Sequence, residues 1–328
     1  MTSDLFPDGL HQQLSIFSLT SDAGSSQAPS EPPVKAVPTP EDQLRLARGG
    51  ELVPDDEYSL ARVVHSHSVV WKDYFVLRYA DIVSTAMTPK HECWWLDLQC
   101  GTGRLYEVGG SYHQSIAMRV LDLPRPFHGY FYNDLDGDCI SALTPRVARP
   151  DRNTHVRNDD VNSQALLDAI FATVPRSALV TVYADQQGID MNVDVLVALA
   201  RRYPKLDVLI NFPATGYARA MHGAHGLAQG AGTAPNFSKA GRGLNHTSPE
   251  ALFGWDAAET RRRVRAQFEQ ELAREGLDQV ETKPVRLHRT NAVIYDLVLA
   301  SRNPFAAKFF REATAREPSG QRVMDLGL

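Results

Sequence analysis

Apolar and polar positions follow two rhythms along this chain of 328 residues. Residues 68–87, SVVWKDYFVLRYADIVSTAM, carry a broad apolar face over about five turns and stop before Pro89, which predicts a helix. Short β-type runs follow: CWWLDLQ at 93–99, HGYFYND at 128–134, HVRND at 155–159, ALVTVYAD at 178–185 and DVLINFP at 207–213. Between them, residues 136–147, 161–172 and 190–202 are each long enough for a short helix. Near the end the rhythm changes. Residues 255–276 read as a helix with Val264, Phe268 and Leu272 on one face and Gly276 as its C-terminal stop. Two more β-type runs, VETKPVRLHR and AVIYDLVLAS, are divided only by Thr290 and Asn291, too short a gap for a crossover, so they pair antiparallel.

Strand–helix alternation argues for an α/β fold, a mostly parallel sheet with helices on both faces. Five alternating units and a closing antiparallel hairpin make seven strands. That is the strand inventory of the Rossmann-like class I methyltransferase fold. Ahead of it, residues 1–40 read as a tail and linker, because 21–40 holds five prolines and almost no large apolar side chain. The expected layout is a helical lead-in at 41–92, one domain at 93–318 and a short tail at 319–328. The domain carries a glycine-rich insertion at 214–248, with seven glycines and three histidines. Such an insertion suits a lid or binding loop, and equally disorder.

Composition narrows the class. The chain is 43% apolar and 22% charged, with a net charge of −5 and a mean hydropathy of −0.29, as expected for a globular chain with no membrane span. The first ten residues lack a basic stretch followed by an apolar core, so no secretory signal is expected. Cysteines at 93, 100 and 139 have neither metal-site spacing nor the number for a disulfide framework, which points to a cytoplasmic, reducing setting. His222, His225 and His246 in the insertion, and His65 and His67, read as solvated histidines rather than metal ligands. Arg261, Arg262, Arg263 and Arg265 form a basic turn that shares its helix with Glu259, Glu269, Glu271 and Glu275.

The chemistry concentrates at strand ends. Trp94 to Gly103, WWLDLQCGTG, is an apolar strand running into a glycine-rich turn, expected to open a helix and to present backbone N–H groups to a ligand. It resembles the S-adenosylmethionine loop usually written DLGCGTG, with Gln99 in place of the first glycine. Tyr106 stands where a dinucleotide fingerprint needs its third glycine, which weakens a nicotinamide-dependent oxidoreductase reading. Asp97, Gln99, Gly101 and Gly103 are therefore candidate cofactor contacts. Asp134 ends the second strand, where a carboxylate can accept both ribose hydroxyls. Asp159 and Asp160 end the third, where a side chain can meet an adenine amino group. Asp185 ends the fourth, beside a reacting methyl, as an orienting group or base. Asn211 ends the fifth as a substrate hydrogen-bonding candidate. Each residue taken singly also fits a turn or helix cap.

The segments WWLDLQCGTGR, YFYNDLD, VTVYADQQGID, DVLINFPATGYAR and YDLVLASRNPFAAKFFREA, in this order, resemble the three-Cys-motif partner proteins. The likeness covers about residues 66–315. It implies a class I methyltransferase-like fold, a pocket for S-adenosylmethionine and a radical-SAM-like partner that carries the cysteine motif. Two features depart from that family: the stretch after Asp185 reads Gln186-Gln187-Gly188 without its proline, and Gln99 and Thr102 alter the loop. The expected function is a cytoplasmic S-adenosylmethionine-dependent methyltransferase with an unidentified acceptor. The alternative is a non-catalytic partner or scaffold of the same fold, associated with nucleic acid through the basic turn.

Overall fold

The computed structural model describes residues 52–55, 59–64, 68–107, 111–185, 193–212, 257–286 and 293–316. The expected tail at 1–40, the insertion at 214–248, the last residues at 319–328 and Gln186 to Gly188 lie outside them, as do His65 and His67.

Two short strands, Leu52–Asp55 (β1) and Ser59–Val64 (β2), precede the long helix Ser68–Met87 (α1). The strand Cys93–Asp97 (β3) runs into the glycine turn. The helix expected directly after that turn is not there. The strands Arg104–Glu107 (β4) and Ser111–Gln114 (β5) come first, and only then the short helix Ile116–Leu121 (α2). The regular alternation resumes with Gly129–Asn133 (β6), Gly137–Val147 (α3), Thr154–Arg157 (β7), Gln164–Thr173 (α4), Leu179–Ala184 (β8), Val193–Arg202 (α5) and Lys205–Phe212 (β9). The helix Ala257–Arg274 (α6), the hairpin Gln279–Arg286 (β10) and Val293–Ser301 (β11), and the helix Pro304–Thr314 (α7) complete it.

The main sheet has seven strands in the order β10-β11-β9-β8-β3-β6-β7. β3 pairs in parallel with both β6 and β8, and β7 and β9 extend the parallel set. β11 lies antiparallel between β9 and β10. Sequential order is therefore broken on both sides of β3, and the late hairpin inserts its second strand next to β9. This is the strand order of the Rossmann-like class I methyltransferase fold. The central strands are buried residue after residue, as parallel strands covered on both faces must be.

A second, four-stranded sheet runs β1-β2-β4-β5, with β2 parallel to β4 and the outer pairs antiparallel. It corrects the expected helical lead-in at 41–92, which holds two strands besides α1. It also explains the missing helix after the glycine turn: residues 104–107 are taken up in pairing with β2. Tyr106 and Tyr112 pack across β4 and β5 with ring centroids 4.9 Å apart.

Alternation along each main strand splits the core into two layers. Leu96, Val180, Val182, Val208 and Ile210 pack with Leu166, Ile170, Leu196 and Leu199 of α4 and α5. Trp95, Tyr130, Tyr132 and Tyr183 form an aromatic layer in which Trp95 has no exposed surface. Truncating a fully buried residue of that size costs about 3–5 kcal/mol. Tyr79 of α1 packs edge-on to Phe310 of α7 and donates to Asp207 at 2.9 Å, while Ser301 donates to its other oxygen at 2.6 Å. That network ties α1, β9 and β11 together.

Candidate functional site

A cavity of about 380 Å³ opens beyond the C-terminal ends of β3, β6, β7 and β8, where the strand order reverses. Open α/β sheets bind ligands at that crevice. The turn after β3 forms its floor. Leu98 N–H still pairs with Tyr183 O at 3.0 Å, while Cys100 N–H crosses to Asn133 O at 2.9 Å. β3 thus hands its backbone bonding from β8 to β6 within two residues. The positive φ of Gly101 (64°) and Gly103 (81°) lets the chain turn there.

The structure distributes the sequence candidates unevenly. Gln99, Gly101, Asp134, Asp160 and Asp185 line the cavity. Asp134 accepts Gly101 N–H at 2.8 Å and Asp136 N–H at 3.0 Å, so its carboxylate is fixed against the glycine turn. Gln99 presents Oε1 as a buried acceptor without a partner among the described residues. Asp185 is held through one oxygen by Lys72 and through the other by Asn211 Nδ2 at 2.9 Å.

Four candidates stand back from the lining. Asp97 is wholly buried behind the turn. Burial, and then the Asp185 charge, push its carboxyl well above the usual range, and its Oδ2 has no partner among the described residues. Gly103 has its Cα toward the core, where an added Cβ would meet Leu143 at 2.8 Å and Arg146 and Met118 at 3.3 Å. Its lack of a side chain serves packing beneath the site. Asp159 pairs with Arg157 Nε at 3.0 Å. Asn211 reaches the cavity only through Asp185, its own Oδ1 buried and unpartnered among the described residues.

Other residues at the cavity carried no motif. Lys72 and Asp73 project from α1, both about 5% exposed or less. Burial opposes the Lys72 charge, but Asp185 and then Asp73 outweigh it and hold its pKa above the ordinary lysine value. Burial pushes Asp73 up to about 6, against the pull of Lys72 and with the push of Asp185. A signal existed in the sequence: Lys72-Asp73 interrupts the apolar face of this helix. Asn133 stitches three strand ends, donating to Leu98 O at 3.1 Å and Asp159 O at 3.0 Å and accepting Asp159 N–H at 3.0 Å. Arg62 of β2 covers the glycine turn.

The ionisable lining comprises five aspartates (73, 134, 136, 160 and 185) against Arg62 and Lys72. Leu135, between two of these acids, is 68% exposed at the edge. Such a cavity suits a cationic ligand with hydroxyl groups and an apolar face.

No protein-family model matches the chain, and no curated protein sequence matches it. Among solved structures it is similar to a Legionella pneumophila protein of the DUF519 family, at 10% identity over 76% of this chain and 91% of that one, TM-score 0.43. A ribosomal protein L11 methylase from Lactobacillus delbrueckii gives 10% identity over 70% and 78%, TM-score 0.32. A TehB-like SAM-dependent methyltransferase from Corynebacterium glutamicum gives 14% over 69% and 88%, TM-score 0.31. These likenesses are too distant to add to the strand order, which alone decides the fold.

The remaining candidates resolve simply. In the basic turn, Arg262 and Arg263 both pair with Glu259 of the same helix, and Arg265 pairs with Asp296 and Glu269 at 3.3 Å. Among the described residues no cluster of His, Cys, Asp or Glu could hold a metal, and no helix is long and apolar enough to cross a membrane.

Proposed function

We propose that the cavity binds S-adenosylmethionine and that the protein transfers its methyl group to an acceptor entering past Asp185. The observation that carries this reading is the acid-lined cavity at the switch point of a class I methyltransferase strand order. The residues fit the group: Gln99 Oε1 is an orphaned acceptor suited to an ammonium, Asp134 retains lone pairs for ribose hydroxyls, Asp160 stands for the adenine edge and Leu135 offers an apolar face. When bound, the cofactor supplies an electrophilic methyl on a sulfonium. The chain supplies position. Asp185, clamped by Lys72 and Asn211, orients an acceptor rather than taking its proton first, whereas Asp73 is engaged among the described residues only by the neighbouring Lys72 ammonium, at 3.8 Å. Near neutral pH it is the better placed proton acceptor.

The likeness to the three-Cys-motif partner proteins supports a radical-SAM-like partner, and the buried free thiols of Cys93, Cys100 and Cys139 support a cytoplasmic setting. One observation favours a non-catalytic partner or scaffold instead: both Asp185 oxygens are already engaged. The Glu259 pairing of Arg262 and Arg263 weakens its nucleic-acid version. Calorimetry with S-adenosylmethionine and S-adenosylhomocysteine tests the proposal, with saturable binding of both expected. A folded sample that binds neither, alone or beside its partner, refutes it. Binding without turnover, with a partner complex that survives Asp185→Ala, selects the scaffold.

A further inference from the structure

One cation at the cavity has no ion-pair partner among the described residues. Arg62 arrives on β2, and its Nε lies 3.7 Å from where a Cβ on Gly101 would stand. Its Nη2 donates to Cys139 Sγ at 3.1 Å; among the described residues its buried Nε has no partner and no carboxylate lies within ion-pair distance. Burial pushes the Cys139 thiol up to about 12, so that partner is neutral. Burial works against the guanidinium too, but the Cys139 sulfur as hydrogen-bond acceptor and the more distant Asp134 and Asp136 charges hold its pKa above the ordinary arginine value. Asp134 does not close on it: the backbone N–H groups of Gly101 and Asp136 hold its carboxylate against the glycine turn. A partly buried guanidinium with a free edge in a cavity is built to receive a planar oxyanion.

We propose that Arg62 is an oxyanion subsite of this cavity. Resting on the cofactor reading above, the oxyanion is the carboxylate of the cofactor's amino-acid tail, or else a phosphate on the acceptor. The position is held from outside the main sheet. Arg146 of α3 donates to Asp55 of β1 at 2.5 Å, to Leu60 O of β2 at 2.9 Å and to Thr102 O of the glycine turn at 2.5 Å, which fixes β2 over that turn.

The experiment compares wild type, Arg62→Ala and Arg62→Lys by calorimetry with three probes. These are S-adenosylhomocysteine, 5′-methylthioadenosine (the same nucleoside without the amino-acid tail) and inorganic phosphate. For a carboxylate subsite, Arg62→Ala weakens S-adenosylhomocysteine about tenfold or more and leaves 5′-methylthioadenosine within twofold, while Arg62→Lys recovers part of the loss. The retained methylthioadenosine binding also shows that the variant is folded. For a phosphate subsite, both nucleosides are unaffected and phosphate binding is lost. Equal weakening of both nucleosides, or no change with any probe, overturns the subsite. If wild type binds neither nucleoside, the cofactor reading fails, and the phosphate arm alone decides whether the subsite stands.

Discussion

Asp73 makes the pH behaviour of this protein specific. Its folded pKa of about 6 lies above the ordinary carboxyl value of 3.8, chiefly through burial. The unfolded chain therefore releases that proton first as pH rises. The stability tied to neutral Asp73 is present below about pH 4 and is lost by the time pH passes 6. Asp73→Asn removes this cost and leaves Lys72 paired with Asp185. We expect it to stabilise the protein by on the order of 1–3 kcal/mol at pH 7.5, a difference that shrinks as pH falls towards 4. Thermal melts across that range check it, and an advantage that grows towards low pH contradicts it. Single residues were partly legible in advance. Asp134, Asp160 and Asp185 could be placed because a strand end puts its last side chains at the sheet edge. Asp159 and Asp160 are adjacent, and only the turn after β7 decides that the second lines the cavity while the first pairs with Arg157.

At the scale of elements, the four-stranded sheet depends on one buried cation. Asp55 and Arg146 have side chains 2% and 4% exposed. Removing the acid takes the carboxylate from a buried guanidinium, which costs about 3–5 kcal/mol for a buried pair. Asp55→Ala should therefore speed amide exchange in β2, β4 and the glycine turn, while β8 and β9 keep their protection. Uniform loss of protection would mean the two sheets unfold as one unit. The elements of the main sheet were readable because strands buried on both faces form continuous apolar runs. β1, β2, β4 and β5 were not. Each is four to six residues long, and β2 pairs with β4 some forty positions away. A glycine turn followed by RLYE reads locally as the start of a helix, and the competing strand partner is invisible to any short window.

For the whole molecule, the cofactor reading predicts a linked stabilisation. S-adenosylhomocysteine at one hundred times its Kd should contribute about 2.7 kcal/mol. For a domain of this size that raises Tm by about 5–10 °C. Arg62→Ala, at the same ligand concentration, should show a visibly smaller rise if the ligand's carboxylate sits on Arg62. Differential scanning calorimetry reads both. The sequence by itself determined the parallel strands, the glycine turn, the closing antiparallel hairpin and the stop of α6 at Gly276, because each depends on neighbours within a few residues. Only the tertiary structure decided what surrounds the cavity. Arg62, Lys72, Gln99, Asp134 and Asp185 belong to five different segments spread over residues 62–185. What brings them together is the packing of α1 and the small sheet against the edge of the large one. That packing is fixed by long-range burial and by the Arg146 contacts, and no local pattern encodes it.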